Sequence, residues 1–188
     1  MVGILSLWMP IVVAAVLVFI ASSVIHMFLK YHNADYGAVP QEDAVMDALR
    51  PFGIAPGDYV LPNAGGDMEL MRSEAFQEKV KKGPVAFITV LPRRDFMDMK
   101  PQLTQWFAYC LVVGVFAAYV AGRALGPGAE YLQVFRFSGV TAFVAYTVAG
   151  WQRSIWYAQP WGTTMRNTLD GLIYALLTAG AFGWLWPS

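Results

Sequence analysis

Four long stretches of mostly apolar residues divide the chain, and one long polar stretch lies between the first and the second. The apolar stretches are residues 1–29, 104–125, 131–157 and 164–186. An α-helix rises 1.5 Å per residue, so roughly 20 apolar residues cross a hydrocarbon core of about 30 Å. The pattern predicts a mainly α membrane protein, with a four-helix transmembrane bundle and a small αβ insertion between spans 1 and 2.

Turn-forming residues and tryptophans mark the ends of these predicted spans. Gly126-Pro127-Gly128 separates the second span from the third, and Gln159-Pro160-Trp161-Gly162 separates the third from the fourth. Glycine and proline in this density reverse the chain direction. All seven tryptophans lie near the ends of the apolar stretches, where an indole ring prefers the membrane–water interface.

The polar stretch 30–103 is patterned enough to predict an extramembrane αβ loop domain. One helix is expected after Pro40, ending before Pro51, and a second over 67–82, ending at Gly83-Pro84. Residues 59–61 and 85–91 are rich in β-branched, aromatic and other apolar side chains, which is typical of strands. A strand–helix–strand unit pairs its strands in parallel, so a parallel pair is expected here.

Basic residues near the span ends predict the orientation. One side carries most of them, while the other has Arg123 and Arg136. The residues on the richer side are Lys30, Arg93, Arg94, Lys100, Arg153 and Arg166. Because basic residues are retained in the cytoplasm, we expect the long loop to be cytoplasmic and both termini to lie outside. The expected location is the bacterial inner membrane, as an integral, multi-pass protein.

Composition agrees with a membrane location and argues against one class of partner. The chain is 57% hydrophobic and 14% charged, whereas a soluble domain usually carries charge on about a quarter of its residues. Thirteen basic residues balance thirteen acidic ones, so no basic surface for nucleic acid is expected. The expected partners are membrane lipids and either other membrane protein subunits or further copies of this chain.

Small residues recur every fourth position in the second and fourth spans. Residues four apart lie on one helical face, where small side chains let a neighbouring helix approach closely. The row in the second span is Cys110, Gly114, Ala118 and Gly122, and that in the fourth is Gly171, Ala175, Ala179 and Gly183. This small-xxx-small pattern predicts helix packing, either inside the bundle or against another protein.

Charged residues at membrane depth are costly and therefore mark candidate functional positions. Asp170 follows Arg166 by four residues, so the two are expected to form an ion pair, with Arg153 at the same membrane level. Snorkelling and structural pairing explain these residues without a ligand. The alternative is a site for a lipid headgroup or a quinone, lined by the aromatic residues Trp151, Trp156, Tyr157 and Trp161.

The two histidines, His26 and His32, follow each other at the end of the first span, with Asp35 close behind. Six residues apart on one continuous helix, the imidazoles would point about 120° apart and could not share a metal ion. His32 and Asp35 could share a helical face. No cofactor is therefore expected, and a quinone, a haem or a metal ion held by His26 is kept only as a weak alternative.

No catalytic motif is visible in the sequence. HExxH, GxSxG, the Walker lysine motif and CxxC are all absent, so zinc hydrolysis, serine hydrolysis, nucleotide hydrolysis and thiol redox chemistry have no sequence signature. The first hypothesis is therefore a non-catalytic accessory or assembly subunit of a larger membrane complex. The second is a lipid- or quinone-binding membrane protein or enzyme, and the third is a homo-oligomeric channel or small-solute carrier.

Overall fold

The computed structural model describes residues 1–93 and 97–188, which form two compact units. The helical unit comprises Met1–Gly37 and Met97–Ser188, and the small unit comprises residues 38–93. The small unit is thus narrower than the predicted loop domain 30–103, because residues 30–37 pack with the helical unit. Arg94, one of the basic residues used for the orientation, lies outside the described residues.

The chain is mainly helical, as the long apolar stretches predict, and two short strands lie in the small unit. The described helices are α1 (Trp8–Phe28), α2 (Glu42–Leu49), α3 (Met68–Arg72), α4 (Glu74–Lys82), α5 (Lys100–Ala124), α6 (Tyr131–Thr147), α7 (Trp151–Tyr157) and α8 (Trp161–Trp184). The strands are β1 (Gly57–Leu61) and β2 (Ala86–Val90).

Helices α1, α5, α6 and α8 form an antiparallel bundle. At one end Leu7 and Ile11 of α1 pack in a cluster with Phe182 of α8, and toward the other end Ile25 packs in a cluster with Tyr174. Both chain termini lie at the turn between α5 and α6. There the Val2 N–H donates to the Gly122 carbonyl at 2.8 Å, and the Gly128 N–H donates to the Pro187 carbonyl at 2.9 Å.

Three segments are long and apolar enough to cross a membrane: Ile4–Phe28, Lys100–Ala124 and Tyr131–Tyr157. They correspond to the first three predicted spans, and the third continues from α6 through a 3₁₀ turn into α7. Helix α8 lies in the same bundle, but its first half carries Arg166, Asp170 and several threonines. Because of these polar residues, α8 is not one of the described segments that length and composition alone identify as membrane-spanning.

Both rows of small residues pack inside the bundle, which is the first of the two alternatives. A Cβ atom on Gly114 would lie 3.1 Å from Cγ2 of Ile11 in α1, so α5 and α1 are in close contact there. A Cβ atom on Gly171 would lie 2.2 Å from Cγ2 of Thr147, and one on Gly183 would lie 2.6 Å from the Tyr131 ring. The chain's own helices thus cover both faces.

The strands of the small unit pair antiparallel, so the expected parallel pairing is wrong. Leu61 pairs with Ala86 and Gly57 with Val90. The predicted helix 67–82 is broken at Ser73, whose backbone is extended and whose side chain accepts from the Phe76 N–H. Two short helices return the chain to the end of β1 that it left, whereas a parallel pair needs a crossover to the opposite end.

Candidate functional site

The site begins where α1 ends. Leu29 has an extended backbone (φ −91°, ψ 119°), so the helix stops, and Lys30–Ala34 forms a 3₁₀ turn in a new direction. The premise of one continuous helix carrying both histidines is therefore wrong. Because of the break, the imidazole rings of His26 and His32 lie side by side, with their centroids 4.6 Å apart.

His32 lies between two carboxylates. Its Nδ1 is 2.6 Å from Oδ2 of Asp35, as the spacing of three residues allows, and its Nε2 is 2.7 Å from Oδ2 of Asp170 in α8. The Tyr31 hydroxyl donates to the other oxygen of Asp170. Both carboxylates are at least nine-tenths buried, at 8% and 5% side-chain exposure. These hydrogen bonds tie the 3₁₀ turn to α8.

Arg166 pairs with Asp35 and not with Asp170. Its Nε donates to Oδ1 of Asp35 at 2.7 Å, and a terminal nitrogen lies 2.6 Å from the same oxygen. The expected pair between Arg166 and Asp170 is thus replaced, because Tyr31 and His32 already occupy the Asp170 carboxylate. The result is a chain of charged contacts from Arg166 through Asp35 and His32 to Asp170.

This arrangement shifts the pKa values of the groups in the 3₁₀ turn. Burial by itself lowers the pKa of His32, but its hydrogen bonds to Asp35 and Asp170 outweigh burial and raise the pKa above its ordinary value. Burial by itself raises the pKa of Asp35, but hydrogen bonds from His32 and Arg166 hold it below its usual range. Burial and the Asp170 hydrogen bond raise the pKa of the Tyr31 hydroxyl.

His26 completes the group from the last turn of α1. Its Nε2 lies 3.9 Å from Oδ2 of Asp170, and its side chain is 52% exposed. The nitrogen and oxygen donors of His26, His32 and Asp170 all lie within 4.8 Å of one another. Two imidazoles and a carboxylate at this spacing are chemically able to hold a metal ion.

A cavity of about 670 Å³ lies beside this group inside the helical unit. Its polar lining includes His26 and Asp170, and its walls come from α1, α5, α6, α7 and α8. The volume is in the range of about 300–1,000 Å³ that small-molecule sites occupy.

One wall of the cavity is aromatic. The Trp106 ring lies 5.8 Å from the Tyr174 ring, and the Tyr146 ring lies 5.6 Å from it, both measured between centroids. Trp106 is held in place because its indole N–H donates to the Ser22 hydroxyl at 2.8 Å. The Tyr174 hydroxyl is the buried side-chain polar atom for which the described residues offer no hydrogen-bond partner. A buried hydroxyl without a partner is costly, and a bound group could satisfy it.

The structure brings together part of the sequence-predicted site. Trp151, Arg153 and Asp170 line the cavity, and the Trp151 indole N–H donates to Thr168 at 2.9 Å. Arg166 is absent from the lining and is engaged by Asp35. The remaining aromatic residues are not part of the lining and are largely exposed: Trp156 at 74%, Tyr157 at 58% and Trp161 at 53%.

Several residues of the site were not predicted as members of it. Tyr31, Trp106, Tyr146 and Tyr174 carry no recognisable motif, and they meet only through the packing of distant helices. A usable signal existed for His32 and Asp35, which are polar groups directly after an apolar span. Their connection to Asp170, 138 residues from His32, depends on the tertiary structure.

No protein-family model, curated protein or solved structure matches this chain.

Proposed function

We propose that this is an integral membrane protein with four spans that binds a planar, uncharged ligand with ring carbonyls, of the quinone class, in the cavity beside Asp170. The observation that carries the proposal is the aromatic-walled cavity of about 670 Å³ with an unpartnered tyrosine hydroxyl in its lining.

The membrane location is supported by the outward faces of the helices. Phe116 on α5, Val140 on α6 and Leu176 on α8 are 59%, 65% and 50% exposed. Such side chains are favourable in lipid and unfavourable in water. Helix α8 has 24 residues, which gives a length of about 36 Å at 1.5 Å per residue, enough for a fourth span.

The ligand class follows from the shape and charge of the lining. Flat rings stack favourably on Trp106, Tyr146 and Tyr174. Arg153 and Asn167 in the lining and the Tyr174 hydroxyl can donate hydrogen bonds to carbonyl oxygens. Asp170 lies in the same lining and repels a phosphate, so a neutral ring with carbonyl groups suits the cavity better than an anionic lipid headgroup.

The test is a titration of the purified protein in mild detergent with a short-chain benzoquinone or naphthoquinone, followed by quenching of tryptophan fluorescence. Trp151→Leu should weaken binding by about two- to thirteenfold, since one stacked aromatic contact contributes roughly 0.5–1.5 kcal/mol beyond area burial and about 1.4 kcal/mol is a factor of ten. Trp156→Leu is the matched control, because Trp156 lies five residues away on the same helix but outside the cavity.

Two results would contradict the proposal. One is quenching that does not saturate in the wild-type protein, and the other is an equal effect of the two tryptophan substitutions. A quinone recovered from the purified protein by extraction would support it directly.

The accessory-subunit hypothesis remains a prediction with less support. Its motivation was the absence of catalytic motifs together with the two rows of small residues and the structured loop, and α1 and α6 cover both rows. It is tested by the native mass of the protein in mild detergent together with identification of co-eluting polypeptides. The channel hypothesis stays a prediction too, tested by flux in proteoliposomes.

A further inference from the structure

We propose that His26, His32 and Asp170 bind a divalent transition-metal ion at the edge of the cavity. The inference rests on the three ligand atoms and their hydrogen-bond partners, and it stands whether or not the cavity binds a quinone.

The donor spacing is close to that of a tetrahedral site. Metal–ligand bonds of about 2.0–2.2 Å place ligand atoms roughly 3.3–3.6 Å apart. His26 Nε2 and Asp170 Oδ2 are separated by 3.9 Å, and His32 Nε2 and Asp170 Oδ2 by 2.7 Å. An ion therefore needs the second pair to open by about 0.6 Å or more, the first to close slightly, and the two imidazole nitrogens, which lie within 4.8 Å of each other, to come to the same spacing. Side-chain rotations can supply these changes.

Hydrogen bonds already orient two of the three ligands in the way that metal sites require. A metal-bound imidazole usually donates its other N–H to a carboxylate, which fixes the ring and its tautomer. His32 has this arrangement, with Nδ1 2.6 Å from Asp35 Oδ2, and Arg166 in turn holds Asp35. The Tyr31 hydroxyl donates to the Asp170 oxygen that faces away from the proposed ion.

The position of His32 Nε2 also calls for a cation. When Nδ1–H donates to Asp35, the Nε2 of a neutral ring carries a lone pair that faces Asp170 Oδ2 at 2.7 Å. Two acceptors at this distance repel each other unless a proton or a metal ion lies between them. A proton needs only His32 and Asp170, whereas a metal ion also uses His26, whose ring nitrogens make no hydrogen bond within the described chain.

The ligand types decide which ions fit. Two imidazoles with one carboxylate suit Zn²⁺, Fe²⁺ or Co²⁺, whereas Mg²⁺ and Ca²⁺ prefer oxygen ligands. Three protein ligands leave a coordination position open, as in catalytic zinc sites. His26 and Asp170 both line the cavity, so the open position is next to the space that a small molecule can enter.

The experiment uses the full-length protein in detergent, stripped with a chelator and titrated without any quinone. Zn²⁺ binding is followed by calorimetry and Co²⁺ binding by its visible absorption. Wild type should bind one equivalent of either ion. His26→Gln should weaken binding at least about tenfold. The thermal midpoint of the metal-free protein should change little, because His26 has no hydrogen bond to the described residues.

Ser23→Ala is the matched control, since Ser23 lines the same cavity on α1 but is bonded to the Phe19 carbonyl. It should bind metal like the wild type. Asp170→Asn should abolish binding, with the metal-free circular dichroism spectrum verifying its fold. The proposal is overturned if wild type shows no saturable binding, or if His26→Gln binds as tightly as wild type, which would leave a protonated His32 as the cation between the carboxylates.

Discussion

At the scale of single residues, Asp35 has the most consequential contacts outside the predicted site. It joins the 3₁₀ turn to α8 through hydrogen bonds from both His32 and Arg166, and its side chain is only 8% exposed. Removing its charge leaves Arg166 without its carboxylate partner in a partly buried position. The substitution therefore destabilises the folded state more than the loss of an exposed ion pair would.

We expect Asp35→Asn to lower the free energy of unfolding by about 1.5–3 kcal/mol, the range for a hydrogen bond to a charged group. Differential scanning fluorimetry in detergent would detect it as a lower thermal midpoint. The matched control is Glu130→Gln, which also removes one negative charge without a change of size. Glu130 is exposed, and its side chain does not cap α6. Equal midpoints for the two variants would contradict a structural role for Asp35.

At this scale the sequence predicts contacts between residues that are near each other in the chain, but not contacts between distant ones. The proximity of His32 and Asp35 follows from a spacing of three residues, and the structure confirms it. The Asp170–Arg166 pair satisfied the same spacing rule and was wrong, because two side chains from the 3₁₀ turn compete for Asp170 and another competes for Arg166. Local spacing states which contacts are possible, whereas tertiary neighbours decide which one forms.

At the scale of elements, the glycines of α8 differ sharply in what surrounds them. A Cβ atom on Gly171 would lie 2.2 Å from Cγ2 of Thr147, which is buried and β-branched. A Cβ atom on Gly180 would have the Tyr131 hydroxyl as its nearest neighbour, at 3.8 Å. Alanine stabilises a helix by roughly 0.5–1 kcal/mol relative to glycine where there is space for its methyl group.

Alanine substitutions at these two positions should therefore change the thermal stability in opposite directions. Gly180→Ala should raise the thermal midpoint slightly, whereas Gly171→Ala should destabilise the helical unit by about 1–3 kcal/mol through overpacking. The two variants control for each other, since they share the helix and the chemical change. A Gly171→Ala protein as stable as wild type would mean that α6 and α8 are further apart than described.

The helices were largely predictable because apolar runs of this length have few alternatives. Sequence placed the fourth helix at 164–186 and the structure places it at Trp161–Trp184. The end of α1 at Phe28 agrees with the predicted first span 1–29, whereas the 3₁₀ turn Lys30–Ala34 that redirects the chain was not predicted, since no glycine or proline marks it. The break is instead held by hydrogen bonds from Tyr31 and His32 to α8. The predicted parallel pairing of the strands was wrong for a related reason, since the direction in which the chain returns depends on the helix break at Ser73.

At the scale of the whole molecule, the antiparallel order of the bundle constrains the topology. Both termini contact the α5–α6 turn through main-chain hydrogen bonds. If all four helices cross the membrane, Gly3 and Ser188 lie on one side and residues 38–93 on the other. If α8 does not cross, Ser188 lies on the side opposite Gly3, and the hydrogen bond between Gly128 and Pro187 is not formed.

We expect Gly3→Cys and Ser188→Cys to react with a membrane-impermeant maleimide in intact cells, and Asn63→Cys to react only after the membrane is opened. The charge distribution near the spans gives this direction. Labelling of Ser188→Cys together with Asn63→Cys would reduce the count to three spans. If Asn63→Cys reacts in intact cells, and Gly3→Cys and Ser188→Cys react only after the membrane is opened, the orientation is inverted but the number of spans is still four.

Cys110 gives the helical unit a reporter of its own unfolding. It is the single cysteine of the chain, 1% exposed, and it packs among Ala15, Val18 and Tyr174. A thiol-reactive dye therefore stays dark while α1, α5 and α8 remain together and becomes fluorescent when they separate. The native sequence thus allows melting of the bundle to be followed separately from that of the small unit, with no engineered label.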